Sequence, residues 1–370
     1  MYKRNESIDI THIITTIDNG GAEKQLLLLV KEQITAGLNV GIVYLKGNSE
    51  LKKDFRIIGG KFVLEIENKN IFSQLFYLWI YFKKYSGLVH AHLPQSELMV
   101  RFTIRNQKFI ISRHYGDRFW PKSNKWFSAI LSRYILTKVD KVIAISEAVK
   151  KYLYESKEVP LNTDINVVLY GFNNDFYHKS AFEDGFHETL SLVKNKFVIG
   201  SISRLAPEKD LYTFLDAIKS VSERDKNIVA LIVGDGELRS KLMFYCEKLE
   251  LQDFVKFLGR KNNVIHYFEL FDVFVLTSKF EGFGLVLLEA MATKLPIIAT
   301  DTSAIPEVIG NGGPGILVNI GDYNEIANNI IRLKNNNSEK ERIASASLRW
   351  LQNFNSAQMA KKIKEVYDLK

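Results

Sequence analysis

Cysteine is nearly absent: Cys246 is the only one in 370 residues, which rules out an intramolecular disulfide and any cysteine-based zinc site. A reducing, cytoplasmic setting is the expectation. No apolar run is long enough to cross a bilayer. The nearest, Ile71–Phe82 (IFSQLFYLWIYF), has twelve residues with polar Ser73 and Gln74 inside it, against about 20 for a span. It reads as a helix that is buried or dips into a surface. The start, MYKRNESIDITHIIT, has no apolar h-region and no cleavage site, unlike a signal peptide. Short-period repeats and low-complexity tracts are missing as well.

The material that remains is that of an ordinary globular protein, 46% hydrophobic and 25% charged, and the length favours two domains over one. The formal net charge of +8 is unevenly shared. Residues 1–172 hold 25 Lys and Arg against 16 Asp and Glu, whereas the remainder holds 25 against 26. A basic first half can attract nucleic acid, anionic lipid or a phosphorylated acceptor; a generally lysine-rich surface is the plain alternative.

In the second half, short runs rich in Val, Ile and Phe recur: FVIGSIS (197–203), IVALIVG (228–234), VKFLG (255–259), VFVLTS (273–278), PIIAT (296–300) and GILV (315–318). Amphipathic segments such as 210–225 and 237–251 lie between them. Non-alternating apolar strands separated by helices indicate a parallel sheet covered on both faces. The first half is less regular, with candidate strands at 8–15, 40–45, 62–66, 88–92, 108–114, 141–146 and 165–171. A helix over 22–36 ends at Gly37, suited to the left-handed position after a helix. The spacing therefore predicts an α/β protein with two Rossmann-like, doubly wound parallel-sheet domains facing a cleft. The boundary between them is expected in the polar stretch 172–196, a linker with no convincing core strand.

The sharpest motif is Glu281-Gly282-Phe283-Gly284-Leu285-Val286-Leu287-Leu288-Glu289, which follows a strand and opens a helix. Two glycines permit close backbone approach, and the N–H groups of Phe283, Gly284 and Leu285 can point at a pyrophosphate or at sugar hydroxyls. Glu281 could accept from sugar hydroxyls and Glu289 from a ribose. A plain strand–helix turn with an exposed glutamate is the bland reading. The second motif, Ser203-Arg204-Leu205-Ala206-Pro207-Glu208-Lys209-Asp210, sets Arg204 and Lys209 at a strand exit, where a guanidinium and an ammonium could neutralise a diphosphate. Its bland reading is a solvated turn with Asp210 as N-cap. His92 and His114 each end an apolar strand, a position where a hydrogen-bonded structural histidine is usual.

Ser-Arg-Leu-x3-Lys-Asp, VGDGEL (233–238), VKFLGR (255–260), Glu-x7-Glu and PIIATDTSAIPEVIG (296–310), in that order, resemble the retaining GT-B glycosyltransferases of family GT4. Gly20-Gly21-Ala22-Glu23-Lys24, His90-Ala91-His92, Ser112-Arg113-His114-Tyr115, Ala144-Ile145-Ser146-Glu147 and Tyr170-Gly171-Phe172 resemble its other landmarks, the last with Tyr where the family has Asn. The resemblance spans nearly the whole chain. It implies that Arg204 and Lys209 bind the donor diphosphate, and that Glu289 binds the ribose while Glu281 lies near the sugar. Phe283, Gly284 and Leu285, next to Gly282, would supply backbone donors. Arg260 would border the base pocket, Gly20 and Gly21 the phosphate or acceptor, and His114 the transferred sugar. His92 would at most support that wall of the cleft. It also implies that the closing segment, 348–370, is a helix crossing back to the first domain, so that residues 1–172 plus about 350–370 form an acceptor-binding domain and 173–349 a nucleotide-sugar-binding domain.

The implied activity is a retaining, metal-independent transfer of a sugar, most commonly from a UDP-sugar, to a glycan or a lipid-diphosphate-linked acceptor, with no cofactor. The resemblance favours same-face attack, Arg204, Lys209, Glu281 and His114 being the catalytic candidates. Metal-holding glycosyltransferases of the other common fold use Asp-x-Asp, which this sequence lacks; the nearest match is Asp235-Gly236-Glu237. Frequent Asn, Lys and Ile point to an AT-rich bacterial gene, and so to O-antigen, capsule or exopolysaccharide synthesis. A basic, aromatic first half, including RFWPKSNKWFSAIL (118–131), suits a peripheral position at the inner face of the membrane, against anionic lipid. Two rivals remain: a nucleotide-sugar 2-epimerase of related architecture, and a basic nucleic-acid-binding protein. No nucleic-acid-binding motif supports the latter, and no nucleic-acid partner is expected.

Overall fold

The computed structural model describes residues 8–116, 118–120, 123–173, 185–310 and 312–368. Residues 121–122 of the aromatic segment and 174–184 of the expected linker lie outside the described residues. The chain divides into two compact units, residues 1–171 with 354–370, and residues 172–353.

The first unit is built on seven strands: β1 (Ile10–Ile14), β2 (Val40–Tyr44), β3 (Lys61–Phe62), β4 (Leu88–His92), β5 (Phe109–Arg113), β6 (Lys141–Ala144) and β7 (Ile165–Val167). They pair in parallel in the order β3-β2-β1-β4-β5-β6-β7. Every residue of β1, β2, β4 and β5 is buried. Helices cover both faces of such a sheet, which explains the near-continuous apolar runs. The helix Gly21–Thr35 buries Leu26, Leu29 and Val30, and Gly37 follows it at φ 86°. The helix Ser356–Val366 packs on it: Met359, Ile363 and Tyr367 share one apolar cluster with Leu29, Ile10 and Ile110. Ser356 Oγ donates to Glu32 Oε1 at 2.6 Å. Each such aliphatic side chain contributes about 1.5–3 kcal/mol on burial, so this last helix is held as firmly as a core element.

Three elements differ from expectation, each where a side chain takes up backbone hydrogen bonds. Of the 62–66 run only Phe62 lies in a strand, which starts at Lys61, and further on Gln74 Nε2 donates to Leu45 O and Ile66 O at 2.7 and 3.0 Å. The 165–171 run stops at Val167, and the Gln25 amide bonds both the N–H and the C=O of Gly171. The closing segment is not one helix. A helix over Asn337–Leu351 gives way to a 3-10 turn, and Asn355 Oδ1 then caps Ser356–Val366 by accepting from Ala357 and Gln358 N–H.

The second unit carries β8 (Phe197–Ile202), β9 (Ile228–Val233), β10 (Val255–Gly259), β11 (Val273–Leu276), β12 (Ile297–Thr300) and β13 (Gly315–Val318), all parallel, in the order β10-β9-β8-β11-β12-β13. Both sheets are doubly wound. In each, strand order reverses once, between β1 and β4 and between β8 and β11, and ligands of such sheets sit at the carboxyl ends of those strands.

Candidate functional site

At the second unit's switch point, β8 delivers Ser203 and Arg204 while β11 delivers Thr277 and Ser278. The loop after β8 is braced by the turn after β9. Leu205 N–H donates to Asp235 O at 3.0 Å and Leu238 N–H to Leu205 O at 2.9 Å. Gly234, at φ 133°, lies so close to this loop that a Cβ would come within 1.9 Å of Ser203 O. VGDGEL therefore shapes the backbone that presents Arg204.

Lys209 and Glu281, 72 residues apart in sequence, meet here with Nζ and Oε1 2.6 Å apart. Ser278 Oγ donates to the same Oε1 at 2.7 Å, and Glu281 N–H donates to Ser303 Oγ at 2.8 Å. Thr277 Oγ1 donates to Lys209 O and Asp210 O, fixing the 207–210 turn against β11. Both side chains of the pair are largely buried; a charge-assisted bond in such surroundings is strong and its geometry fixed. Arg204 is different. It is 73% exposed, pairs with Glu208 at 2.6 Å, and can exchange that partner for another anion at little cost. Asp210 holds the N-cap position but sits left-handed, at φ 45°, and its side chain caps no backbone N–H. It instead accepts from Thr213 Oγ1 and faces Lys279 Nζ at 3.2 Å.

The helix Leu285–Ala292 begins directly after Gly284, which is left-handed at φ 89°, and has no side-chain cap. Its first-turn N–H groups, with the positive end of the helix dipole, form an anion-favouring end beside Glu281. Phe283 and Gly284 are buried and Gly282 half-buried; Glu289, one turn into the helix, is 7% exposed. Arg260 is exposed at the end of β10.

In the first unit, Gly20 and Gly21 open the helix Gly21–Thr35, and Glu23 folds back to accept from Thr16 Oγ1 at 2.6 Å. Burial pushes the Glu23 carboxyl up. At the β1/β4 switch point four histidines form a cluster, His12, His90 and His92 buried and His114 half-buried at its edge. His114 Nδ1 lies 2.5 Å from Tyr170 Oη and His114 Nε2 3.1 Å from His92 Nδ1. His92 Nε2 lies 3.0 Å from His12 Nδ1, and His12 Nε2 2.8 Å from Gln33 Oε1. His90 bridges Tyr367 Oη and Ser112 Oγ at 2.6 and 2.8 Å. Burial lowers all four, His12 to about 4 and His114 to about 3; the neighbouring Arg113 guanidinium depresses His114 further. His12, His90 and His92 each place one ring nitrogen within 4.8 Å of the others, a spacing a metal ion could bridge. All six of their ring nitrogens, however, are already hydrogen-bonded.

The structure thus gathers Arg204, Lys209, Glu281 and residues 282–285 at one switch point, and His92 and His114 at the other. Ser278, Ser303, His12, Gln33 and Tyr367 went unnoticed in the sequence. His12 carried a signal, a histidine inside the apolar strand ITHII; the two serines carried none.

The two family models that match the chain are Glycosyltransferase Family 4, over residues 19–175, and Glycosyl transferases group 1, over residues 183–350. N-acetyl-alpha-D-glucosaminyl L-malate synthase of Bacillus anthracis is 32% identical over 204 residues, covering 55% of this chain and 52% of that protein. The UDP-Gal:alpha-D-GlcNAc-diphosphoundecaprenol alpha-1,3-galactosyltransferase of Escherichia coli is 30% identical over 48% of this chain and 47% of its own length. The chain thus spans about half the length of the curated relatives it matches. Among solved structures, Anabaena HepE in complex with UDP and glucose superposes with a TM-score of 0.82 at 22% identity, over 98% of this chain and 100% of that one. One family model falls on each unit, and together they cover most of the sequence. With the two doubly wound sheets in place beneath them, the chain belongs to glycosyltransferase family 4 and has the GT-B fold.

Proposed function

We propose that this protein is a retaining, metal-independent glycosyltransferase that takes a hexosyl group from a UDP-sugar in its second unit and passes it to a glycan or lipid-diphosphate-linked acceptor held by its first. The reading is carried by the Lys209–Glu281 pair beside the open helix end at Leu285. Cleavage of the anomeric C–O bond leaves the electron pair on the diphosphate. Lys209, Arg204 and the helix-start N–H groups would stabilise that charge as it grows, where preorganised donors contribute most. The acceptor hydroxyl forms the new bond on the same face, and its proton passes to a phosphate oxygen. Glu281, its Oε1 engaged by Lys209 and Ser278, would orient sugar hydroxyls, and Glu289 the ribose. Direct cationic stabilisation of the leaving group leaves no step that calls for a metal.

Three sets of relatives support the donor and acceptor classes. The Escherichia coli relative is named for UDP-Gal and an undecaprenyl-diphosphate acceptor. A Staphylococcus aureus relative, 27% identical over 59% of this chain, is a capsular polysaccharide biosynthesis glycosyltransferase. The HepE structures were solved with UDP, glucose or UDP-glucose. Bacterial surface-polysaccharide synthesis is accordingly the proposed setting, with the enzyme in the cytoplasm. No helix among the described residues is long and apolar enough to cross a membrane. The first unit nonetheless exposes Phe72, Phe76 and Trp79 on the helix Ile71–Lys84, and Trp126 and Phe127 on Lys125–Leu136. Between them packs the helix Pro94–Thr103, whose Arg101 lies over the Tyr134 ring at 4.3 Å. Aromatic side chains beside lysines and arginine suit a peripheral contact with anionic lipid.

Incubation of the protein with single nucleotide-sugars tests the reaction class. Slow release of UDP and free sugar with retained anomeric configuration is the expected result. Conversion of the nucleotide-sugar to its C2 epimer without acceptor would replace the reading with an epimerase.

A further inference from the structure

The four clustered histidines of the first unit, three buried and His114 half-buried, are joined into one continuous row of hydrogen bonds, Tyr170–His114–His92–His12–Gln33–Tyr367–His90–Ser112. A neutral imidazole has one N–H and one lone pair, so the direction of each bond in the row dictates that of the next. Charging any of these rings would place an imidazolium in a buried site against other imidazoles, which is costly. The lowering of all four agrees with neutrality.

Direction in the row can be worked out from its middle. Gln33 offers Oε1 to His12 at 2.8 Å and Nε2 to Tyr367 Oη at 3.3 Å. A carbonyl oxygen only accepts, so His12 carries its proton on Nε2 and accepts on Nδ1 from His92 Nε2–H. His92 then accepts on Nδ1 from His114 Nε2–H, and His114 accepts on Nδ1 from the Tyr170 hydroxyl. On the other side, Gln33 Nε2–H donates to Tyr367, whose O–H donates to His90 Nδ1, and His90 Nε2–H donates to Ser112. Turning the Gln33 amide by 180° reverses the His12 side of the row. Every bond from Gln33 to Tyr170 then runs backwards, and His114 becomes an Nδ1–H donor toward Tyr170. Hydroxyls and imidazoles can each take either direction, whereas an amide has distinct donor and acceptor ends, so its orientation selects between the two.

We infer that Gln33 is a positioning residue that sets the polarity of this row and thereby the tautomer of His114. His114 is the residue that the family resemblance sets beside the transferred sugar, and the inference rests on the proposed function for its effect on transfer. Tyr367, from the chain's last turn, and the helix Ser356–Val366 that carries it hold the amide in place. A fixed His114 tautomer matters because an imidazole of the wrong tautomer presents a lone pair where a proton is needed; in orienting chains of this kind that error can cost orders of magnitude in kcat.

The experiment uses the full chain with 15N-labelled histidine and reads tautomers from the ring nitrogen shifts. In the unsubstituted protein at neutral pH, His12, His92 and His114 are all expected as Nε2–H. Mixed or Nδ1–H forms in that row would overturn the inference without any variant. Gln33→Met removes the selecting amide and should bring His114 to a mixture, with kcat reduced about tenfold or more and the donor KM little changed. Gln33→Glu still accepts from His12 and should keep His114 as Nε2–H, which guards against a merely unfolded Gln33→Met. An unchanged His114 in Gln33→Met, or a changed tautomer with an unchanged kcat, would overturn the positioning role. Failure of the unsubstituted protein to transfer any sugar would instead count against the proposed function, leaving the tautomer readout to decide this point by itself.

Discussion

Lys209 Nζ and Glu281 Oε1 lie 2.6 Å apart, joining the loop after β8 to the loop after β11 across the reversal of strand order. The pair has two consequences that separate on mutation. Removing the ammonium in Lys209→Met leaves a carboxylate that is only 8% exposed without its cation, and breaking a largely buried pair costs about 3 kcal/mol. The same change removes the cation proposed to meet the leaving group. Urea denaturation should show the lost stability, and kcat/KM should fall roughly 10²-fold or more. A variant as stable as the parent would mean that the pair does not brace the loops.

Arg204 supplies the contrasting case. Its side chain is 73% exposed and its bond to Glu208 lies at the surface, so Arg204→Ala should change stability by less than about 0.5 kcal/mol. Its kcat/KM should nonetheless drop roughly 10²-fold, about 3 kcal/mol of transition-state stabilisation. Near-parental kinetics in this variant would remove Arg204 from the donor site.

The histidine row makes stability depend on acid. In the unfolded chain the four histidines titrate near 6.5, whereas in the folded unit His12 lies at about 4, His114 at about 3, and His90 and His92 well below 6.5. The unfolded state therefore binds more protons below pH 6.5, and stability is fully present above that pH and lost as pH falls toward 4. Glu97, pushed up to about 7 by burial, and Glu23, also raised, act in the opposite sense. Two carboxyls cannot offset four imidazoles. Each excess proton steepens the loss by about 1.4 kcal/mol per pH unit. The urea midpoint of the first unit should fall steadily from pH 7 to pH 5; a flat profile would contradict the buried, neutral assignment.

The exposed aromatic and basic face predicts membrane behaviour. Co-sedimentation with vesicles containing anionic lipid should capture the protein at low salt and release it as ionic strength rises. Phe72→Ser with Trp126→Ser, two residues 79% and 73% exposed, should weaken capture while leaving stability within about 0.5 kcal/mol. Equal binding to neutral vesicles would remove the preference for anionic lipid, and no binding to anionic ones would remove lipid as the partner.

Much of this was legible in the sequence. Apolar runs without alternation predicted both parallel sheets, and all six strands expected in the second unit keep at least four of their predicted residues in a single strand. What periodicity could not show is where side chains take up backbone hydrogen bonds, as Gln74 does beyond Phe62 and Gln25 does at Gly171. The break between the last two helices escaped for a similar reason: helical periodicity continues through 348–370, while Asn355 restarts the helix with its own cap. The motifs at 203–210 and 281–289 located the candidate site, yet the Lys209–Glu281 contact depends on β8 and β11 being neighbours, which no local pattern encodes. His12 and Gln33 belong to separate elements, and their partnership is created by the helix Gly21–Thr35 lying against β1.

The most direct test of the central claim, a metal-free UDP-sugar site in the second unit, is thermal stability in the presence of UDP, GDP, ADP and their sugars, each with and without EDTA. Saturation at about 100 times the dissociation constant adds about 2.7 kcal/mol. The account predicts a shift with UDP and a UDP-sugar that survives EDTA and shrinks in Arg204→Ala. No shift with any nucleotide, or one abolished by EDTA, would contradict it.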